Sequence, residues 1–181
     1  MSRSPAAPLI MTLAAAPRRC GLLALIVALA LDQAHKFFML HVLDIGAREP
    51  IRVTPFLDLQ MSWNHGISYG MFAANDGGAR MALIAVQLAI IAGLGAWMLR
   101  VKHCRTALAL GLIVGGALGN ALDRILRGAV ADFFYFHTSL PVGPLANYVF
   151  NVADAMIFFG VCILLWESLF PPPAAQVGDS A

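Results

Sequence analysis

Four long apolar segments constrain this chain more than any other feature of its sequence. They occupy residues 21–43, 79–99, 107–122 and 149–170. A helix needs about 20 mostly apolar residues to cross a bilayer, so each segment predicts a transmembrane helix. Only 12% of the 181 residues are charged and 60% are hydrophobic, whereas soluble domains carry about 25% charged residues. The sequence therefore predicts an all-α polytopic membrane protein and argues against most soluble enzymes.

The net charge and the cysteines argue against other classes. The formal net charge is +2, and the basic residues are scattered, so nucleic-acid binding is not expected. Cys20, Cys104 and Cys162 are far apart in the sequence and lack the spacing of metal ligands. This pattern predicts neither a disulfide framework nor a zinc site. We expect no metal and no organic cofactor.

Basic residues beside the spans predict the orientation of the chain. They precede the first span and separate the second span from the third: Arg3, Arg18, Arg19, Arg100, Lys102 and Arg105. Such residues mark cytoplasmic segments. We therefore expect residues 1–20 and the tail 171–181 in the cytoplasm, and the regions of about 44–78 and 123–148 on the opposite side of the membrane.

The ends of the chain predict no additional span. Pro8 and Pro17 break the apolar stretch before the first span. Asp32 interrupts the first span and no small-x-small cleavage site follows, so we expect this span to be retained rather than removed as a signal peptide. The Pro/Ala-rich tail 171–181 is predicted to be disordered.

The extramembrane regions predict a small β-sheet. Residues 57–64 alternate strictly between apolar and polar side chains, which indicates an amphipathic strand. Residues 64–66 can form a turn, after which residues 67–72 can return as a second strand. The apolar face can rest on the bilayer or cover a cleft, or the hairpin can simply cap the helices. The aromatic run 133–136 is predicted to be an interfacial element.

Polar residues inside the spans are costly, so each is weighed as functional or as internally paired. Asp32 and Lys36 are four residues apart, which favours an intrahelical ion pair. His35 points away from that face and is interpreted as incidental. Asn120, Asp123 and Arg124 share one helix face, where we expect Asp123 to pair with Arg124 and the trio to hold the following loop.

Asp132 and Asp154 differ from the other acids because neither has a basic residue within a helical turn. Both lie among apolar neighbours, and the predicted topology brings them to the same end of the bundle. Two carboxylates in one dry site cannot both ionise easily, so one stays protonated while the other acts as a base. Asn151 can orient Asp154. Separate structural or ion-path carboxylates are the alternative on spacing alone.

These residues lie in motifs that resemble the lipoprotein signal peptidase family, also called signal peptidase II. The motifs are DQAHK at 32–36, NHG at 64–66, GGALGNALDR at 115–124, VADF at 130–133 and FNVAD at 150–154. They occur in the family's order, and the similarity covers residues 21–170.

The resemblance implies four transmembrane helices with a small periplasmic sheet and a short interfacial periplasmic helix. It implies an aspartic endopeptidase of the bacterial inner membrane. Such enzymes cut diacylglyceryl-modified prolipoproteins on the amino side of the lipidated cysteine and are inhibited by globomycin. Asp132 and Asp154 match the catalytic pair. Other positions match substrate-binding or supporting residues (Asn64, Gly66, Asn120, Arg124 and Asn151) or structural polar residues (Asp32, Lys36 and Asp123). We expect a monomer.

The sequence departs from the common family pattern at two places. Residues 67–69 are Ile-Ser-Tyr where the family usually has small residues and Phe, and Ala155 replaces a common Ser. The first change affects the fit of substrate or inhibitor, and the second removes a hydroxyl beside Asp154. Two rival functions fit the polar spans: an ion-coupled carrier that uses Asp32, Lys36 and Asp154, and a noncatalytic scaffold.

Overall fold

Four helices form the membrane part of the protein in a computed structural model, which describes residues 7–48, 50–66, 77–140 and 143–170. The helices are α1 (Ala7–Phe37), α2 (Gly77–Met98), α3 (Cys104–Arg127) and α4 (Val152–Leu169). Each is long and apolar enough to cross a membrane, and α1 continues through a π-helical turn at Phe38–Val42. The prediction of four spans is confirmed.

Two helices are longer than the sequence predicted. The helix α1 begins at Ala7 and passes through Pro17, so the expected break before the first span is wrong. A proline removes one backbone hydrogen bond, and the rest of this long helix tolerates that loss. The helix α3 continues beyond Leu122 to Arg127 and ends where Gly128 adopts a φ of 82°. A left-handed residue at this position is the usual glycine termination of a helix.

The helix α3 is the centre of the bundle because α1, α2 and α4 all pack against it. Glycines permit the closest approaches. A Cβ atom on Gly116 would lie 2.5 Å from the carbonyl oxygen of Ala153, and one on Gly160 would lie 2.6 Å from that of Ala109. The backbones of α3 and α4 are therefore nearly in contact, as small residues allow in membrane bundles.

A four-stranded antiparallel sheet lies at the end of the bundle where α3 ends and α4 begins. Its strands are β1 (Ile51–Thr54), β2 (Leu57–Asn64), β3 (Val130–His137) and β4 (Asn147–Phe150), in that spatial order. The alternating segment 57–64 is a strand, as predicted. Strand β2 pairs with β1 on one side and with β3 on the other. The predicted return strand 67–72 and the predicted disordered tail 171–181 lie outside the described residues.

The aromatic run 133–136 belongs to β3, so it is not a separate interfacial element. Phe133 is fully buried with Met39, Ile45 and Ala131, and Met61 packs against this cluster. The sheet therefore packs over the turn that follows α1, so capping the helices is one of the roles that it has among those the alternating pattern allowed. The described extramembrane helices are two 3-10 turns, Ile45–Ala47 and Gly143–Ala146.

Two cysteines that are distant in the sequence are neighbours in the structure. Cys20 Sγ and Cys104 Sγ are 2.6 Å apart, at the end of the bundle far from the sheet. Both are free thiols, as is Cys162. The sequence did not predict this contact, because the two residues are far apart in the chain and meet only where α1 packs against α3.

Candidate active site

Asp132 and Asp154 line one cavity of about 530 Å³ between the sheet and helices α2, α3 and α4. Asp132 lies near the start of β3, which follows α3 directly. Asp154 lies in the first turn of α4, directly after β4. The antiparallel pairing of β3 with β4 thus brings two acids that are distant in the chain to the same cavity.

Asn151 connects the two acids. It is the N-cap of α4, where its side-chain oxygen accepts the Asp154 N–H at 3.0 Å and its own N–H donates to Asp154 Oδ2 at 3.2 Å. This reciprocal capping box fixes the start of the helix. The Asn151 amide also donates to Asp132 Oδ1 at 2.6 Å. The Asn151 side chain therefore holds Asp132 and the backbone of Asp154, while the Asn151 backbone N–H holds the Asp154 carboxylate.

Two more amides complete the set of donors to the acids. Asn120 Nδ2 donates to Asp154 Oδ1 at 2.9 Å, and Asn64 Nδ2 donates to Asp132 Oδ2 at 3.2 Å. With the bonds from Asn151, every carboxylate oxygen of the pair accepts a hydrogen bond. Such fixed, neutral donors orient carboxylates without adding a charge that would neutralise them.

A β-bulge brings Asn64 to Asp132. Strand β2 advances from Leu59 to Ser62 while β3 advances only from Phe134 to Asp132, so β2 contains an extra residue. Directly paired residues of antiparallel strands point to the same face. Ser62 and Asn64 therefore share the face of Asp132, where regular pairing would have placed residues 61 and 63. Bulges commonly redirect a side chain beside an active site.

Burial raises the pKa of Asp132 from 3.8 to about 7, and the nearby charge of Asp154 adds to the shift. The hydrogen bonds from Asn64 and Asn151 oppose this effect but do not cancel it. Only 2% of the residue is exposed. Asp132 therefore binds its proton more tightly than an exposed aspartate does, as a general acid requires.

A buried ion-pair network lies behind the cavity. Lys36 Nζ is 2.8 Å from Asp32 Oδ2 and 2.8 Å from Asp123 Oδ2, and all three side chains are fully buried. Lys36 also donates to Asn120 Oδ1 at 3.2 Å. The pair of Asp32 with Lys36 is the one that the spacing predicts. None of the three charged residues lines the cavity.

The expected pair of Asp123 with Arg124 is wrong. Asp123 instead pairs with Lys36 and with Arg127, one turn further along α3. Adjacent helical residues point in different directions, which is why the neighbour in sequence is not the partner. The expected role in holding the following segment is present, because Asp123 Oδ2 accepts the Ala131 N–H at 3.2 Å and so holds β3 against α3.

Arg124 is the cation that lines the cavity. Its guanidinium donates to the carbonyl oxygen of Gly66 and, at 3.2 Å, to Gln87 Oε1. Gln87 was not identified from the sequence, although it is a lone uncharged polar residue amid the apolar part of α2. Asp32 has a role that no local pattern indicates, because its Oδ1 accepts the Ala153 N–H at 3.0 Å and caps α4.

Among the described residues, two acids, the Arg124 guanidinium and the side-chain amides of Asn64, Gln87 and Asn120 line the cavity, together with mostly apolar side chains. His35, interpreted as incidental, lies outside this set and stacks on Phe134 with ring centroids 5.1 Å apart. Among the described residues, no group of three His, Cys, Asp or Glu side chains is arranged to hold a metal ion. The arrangement is suited to acid–base chemistry on an uncharged bond.

The sequences of known proteins are similar to most of this chain. A sequence model of the signal peptidase (SPase) II family matches residues 24–170. A lipoprotein signal peptidase of Methylorubrum extorquens (strain PA1) is 49% identical over 163 residues, which cover 90% of this chain and 93% of that protein. One from Beijerinckia indica is 49% identical over 152 residues, 84% and 89% of the respective chains.

Solved structures share the fold. A structure described as a bacterial membrane enzyme determined by the in meso method at 2.3 Å resolution matches with a TM-score of 0.68 and 23% identity. The match covers 85% of this chain and 92% of that one. A second, described in the same words at 1.9 Å resolution, also has a TM-score of 0.68, with 24% identity.

Proposed function

Since this chain belongs to the signal peptidase (SPase) II family, we propose that it is an aspartic endopeptidase whose catalytic pair is Asp132 and Asp154. The substrate is a diacylglyceryl-modified prolipoprotein, cut on the amino side of the lipidated cysteine. The observation that carries this proposal is the cavity that both acids line, together with the hydrogen bonds from Asn151 to both of them. Peptidase activity and lipoprotein processing are the properties of the family.

The two acids have different roles in the proposed reaction. Asp132, with its pKa raised to about 7, carries the proton at rest. Asp154 lies at the N-terminus of α4 and accepts hydrogen bonds from Asn120 Nδ2 and the Asn151 N–H. Asp154 takes a proton from a water molecule that attacks the peptide carbonyl carbon, and Asp132 donates its proton to the carbonyl oxygen. Asp154 then passes its proton to the leaving nitrogen, the C–N bond breaks, and Asp132 regains a proton from a hydroxyl of the tetrahedral intermediate as the new carboxylic acid forms.

Asn64, Asn120, Asn151, Gly66 and Arg124 support this chemistry in the proposal. The three amides hold the acids, and Arg124 anchors the carbonyl of Gly66 at the end of β2. Asp32, Lys36 and Asp123 are structural, because they are fully buried and satisfied by one another. A carrier would need such charges along an accessible path, which their complete burial does not favour.

The proposed location is the inner membrane, with both termini in the cytoplasm and the catalytic end at the periplasmic surface. Basic residues flank the ends of the spans that lie opposite the sheet, which supports this orientation. The signal helix of the substrate would lie against the spans while its acyl chains stay in lipid. Globomycin-type inhibitors are expected to bind in the same cavity.

The test is cleavage of a synthetic diacylglyceryl-modified lipopeptide by the purified protein in detergent. Asp132→Asn and Asp154→Asn should each lower kcat by at least about 1,000-fold, because each removes an essential acid or base. Asp58→Asn is the matched control: this aspartate lies in the same sheet but pairs with His137 and Arg52 outside the cavity. Full cleavage by either folded active-site variant would disprove the proposed pair.

A further inference from the structure

Gln87 is a half-buried polar side chain inside a predominantly apolar span. It lies near the middle of α2, between apolar residues, and lines the cavity. A polar residue inside a span is costly unless it is hydrogen-bonded, and such residues often serve the site. The partners of Gln87 show which groups it serves.

The Gln87 amide bridges two points on α3. Its Nε2 donates to the carbonyl oxygen of Ala117 at 2.9 Å, and its Oε1 accepts from Arg124 Nη1 at 3.2 Å. Ala117 and Arg124 are two helical turns apart. Because the donor end is tied to the backbone, the acceptor end has a fixed direction. Gln87 thus connects the backbone of α3 to the guanidinium.

Three contacts orient the Arg124 guanidinium. Nη1 donates to Gln87 Oε1 at 3.2 Å and to the carbonyl oxygen of Asn120 at 3.4 Å, and Nη2 donates to the carbonyl oxygen of Gly66. The Nε atom is buried and has no hydrogen-bond partner among the described residues. A guanidinium is planar and rigid, so fixing two nitrogens sets the direction of the third N–H. A buried donor without a partner costs free energy unless a ligand satisfies it.

We propose that Gln87 is a positioning residue for substrate binding. It holds Arg124 in the orientation in which Nε–H donates to a carbonyl oxygen of the bound lipopeptide. This inference rests on the proposed function and adds a residue to it. The carbonyl oxygen belongs either to the peptide or to an acyl ester of the diacylglyceryl group, and the two sources have the same hydrogen-bond chemistry.

The first measurement is steady-state cleavage of the lipopeptide by Gln87→Leu. We expect KM to rise about tenfold while kcat changes less than about threefold, because the lost interaction binds ground state and transition state alike. Gln87→Glu keeps an acceptor for Arg124 but loses the donor to the Ala117 carbonyl oxygen, so its KM should rise less than that of Gln87→Leu. Leu88→Ala, at a residue of α2 that does not line the cavity, is the control and should leave KM unchanged.

The second measurement tests whether Gln87 acts through Arg124. In an Arg124→Lys background, Gln87→Leu should change KM less than about twofold, because the oriented Nε–H is already absent. A full tenfold increase in that background would overturn the inference. So would a Gln87→Leu protein with a lower thermal unfolding midpoint and unchanged KM, since that result is expected of a purely structural glutamine.

A third arm identifies the carbonyl. A substrate with ether-linked chains lacks the ester carbonyls but retains the peptide. If Arg124 binds an ester, Gln87→Leu and the wild type should cleave this substrate with equal KM; if it binds the peptide, the tenfold difference should remain. Absence of cleavage by the wild-type protein would refute the proposed function itself, whereas wild-type cleavage with an unaffected Gln87→Leu variant would refute only the role of Gln87.

Discussion

The interface between α1 and α3 is built in two different ways along its length. In the half far from the sheet, the helices touch through small residues: a Cβ atom on Gly115 would lie 2.5 Å from the Leu25 carbonyl oxygen and 2.8 Å from Ala28 Cβ. In the half beside the cavity, Lys36 on α1 lies between Asp32 and Asp123. We call these the glycine half and the ion-pair half.

The difference shows how one helix interface in a membrane protein can combine close backbone packing with a buried network of charged residues. The glycine half relies on van der Waals contact between backbones, which depends on shape alone. The ion-pair half relies on charges that must all be present, because a buried charge without a partner costs several kcal/mol. Only the ion-pair half continues to the acids, since Lys36 bonds Asn120 and Asn120 bonds Asp154.

The largest effect on stability should come from Lys36→Met. This change leaves Asp32 without a cation, while Asp123 retains Arg127. We expect a loss of about 3–5 kcal/mol in the free energy of unfolding, measured by thermal or denaturant unfolding in detergent. Lys36→Met combined with Asp32→Asn should recover much of the loss.

Arg52→Met is the matched control. Arg52 pairs with Asp58, but the Arg52 side chain is 75% exposed, and exposed ion pairs contribute about 0–1 kcal/mol to stability. Equal stability of Lys36→Met and the wild type would show that the ion-pair half needs no cation.

Asp132, which lies near the ion-pair half, should make the stability of the protein depend on pH. Its pKa is raised from 3.8 to about 7, so between these values the folded protein holds a proton that the unfolded chain has released. Stability from this group is therefore complete below about pH 4 and decreases as the pH rises to about 7. Asp132→Asn should remove the decrease and be more stable than the wild type at pH 8 by on the order of 3 kcal/mol.

Unfolding of the wild type and of Asp132→Asn across pH 4–8 checks this expectation. The two curves should converge at low pH, where the aspartate is protonated in both the folded and the unfolded state. A variant in the glycine half should instead shift the whole curve without changing its slope. Parallel curves for Asp132→Asn and the wild type would contradict the raised pKa of Asp132.

A smaller effect is expected from Gly115→Ala in the glycine half. The added methyl group would meet the backbone of α1 at Leu25, so the helices must separate, at a cost of about 1–3 kcal/mol. Gly93→Ala on α2 is the matched control, because its added methyl carbon would have no atom of another described element within 4 Å. It should leave the unfolding midpoint unchanged or slightly higher. Equal midpoints for the two variants would mean that α1 and α3 do not approach closely at Gly115.

The sequence predicted one ion pair of the ion-pair half and little of the glycine half. Charges inside apolar segments are conspicuous, and the spacing of Asp32 and Lys36 already indicates a pair. The link from Lys36 to Asp123 joins two helices, so no local spacing contains it. The helix contacts of Gly115 and the bulge that redirects Asn64 depend on how elements meet. Gln87 could have been found, because a lone amide inside an apolar span is a recognisable signal.

The smallest effect on activity should come from a disulfide bond that joins α1 to α3 at the end of the glycine half far from the sheet. Cys20 Sγ and Cys104 Sγ are 2.6 Å apart, so a diazene oxidant should accept two electrons and two protons from these thiols and leave a disulfide. Mass spectrometry should find Cys20 linked to Cys104, with Cys162 still free, and Cys104→Ser should form no such link.

Cys104 lies about 24 Å along α3 from Asn120. Because the glycine half is already in contact, the bond should change lipopeptide cleavage less than about twofold. A large loss of cleavage on oxidation that dithiothreitol reverses, and that Cys104→Ser prevents, would show that the two halves move relative to each other during turnover.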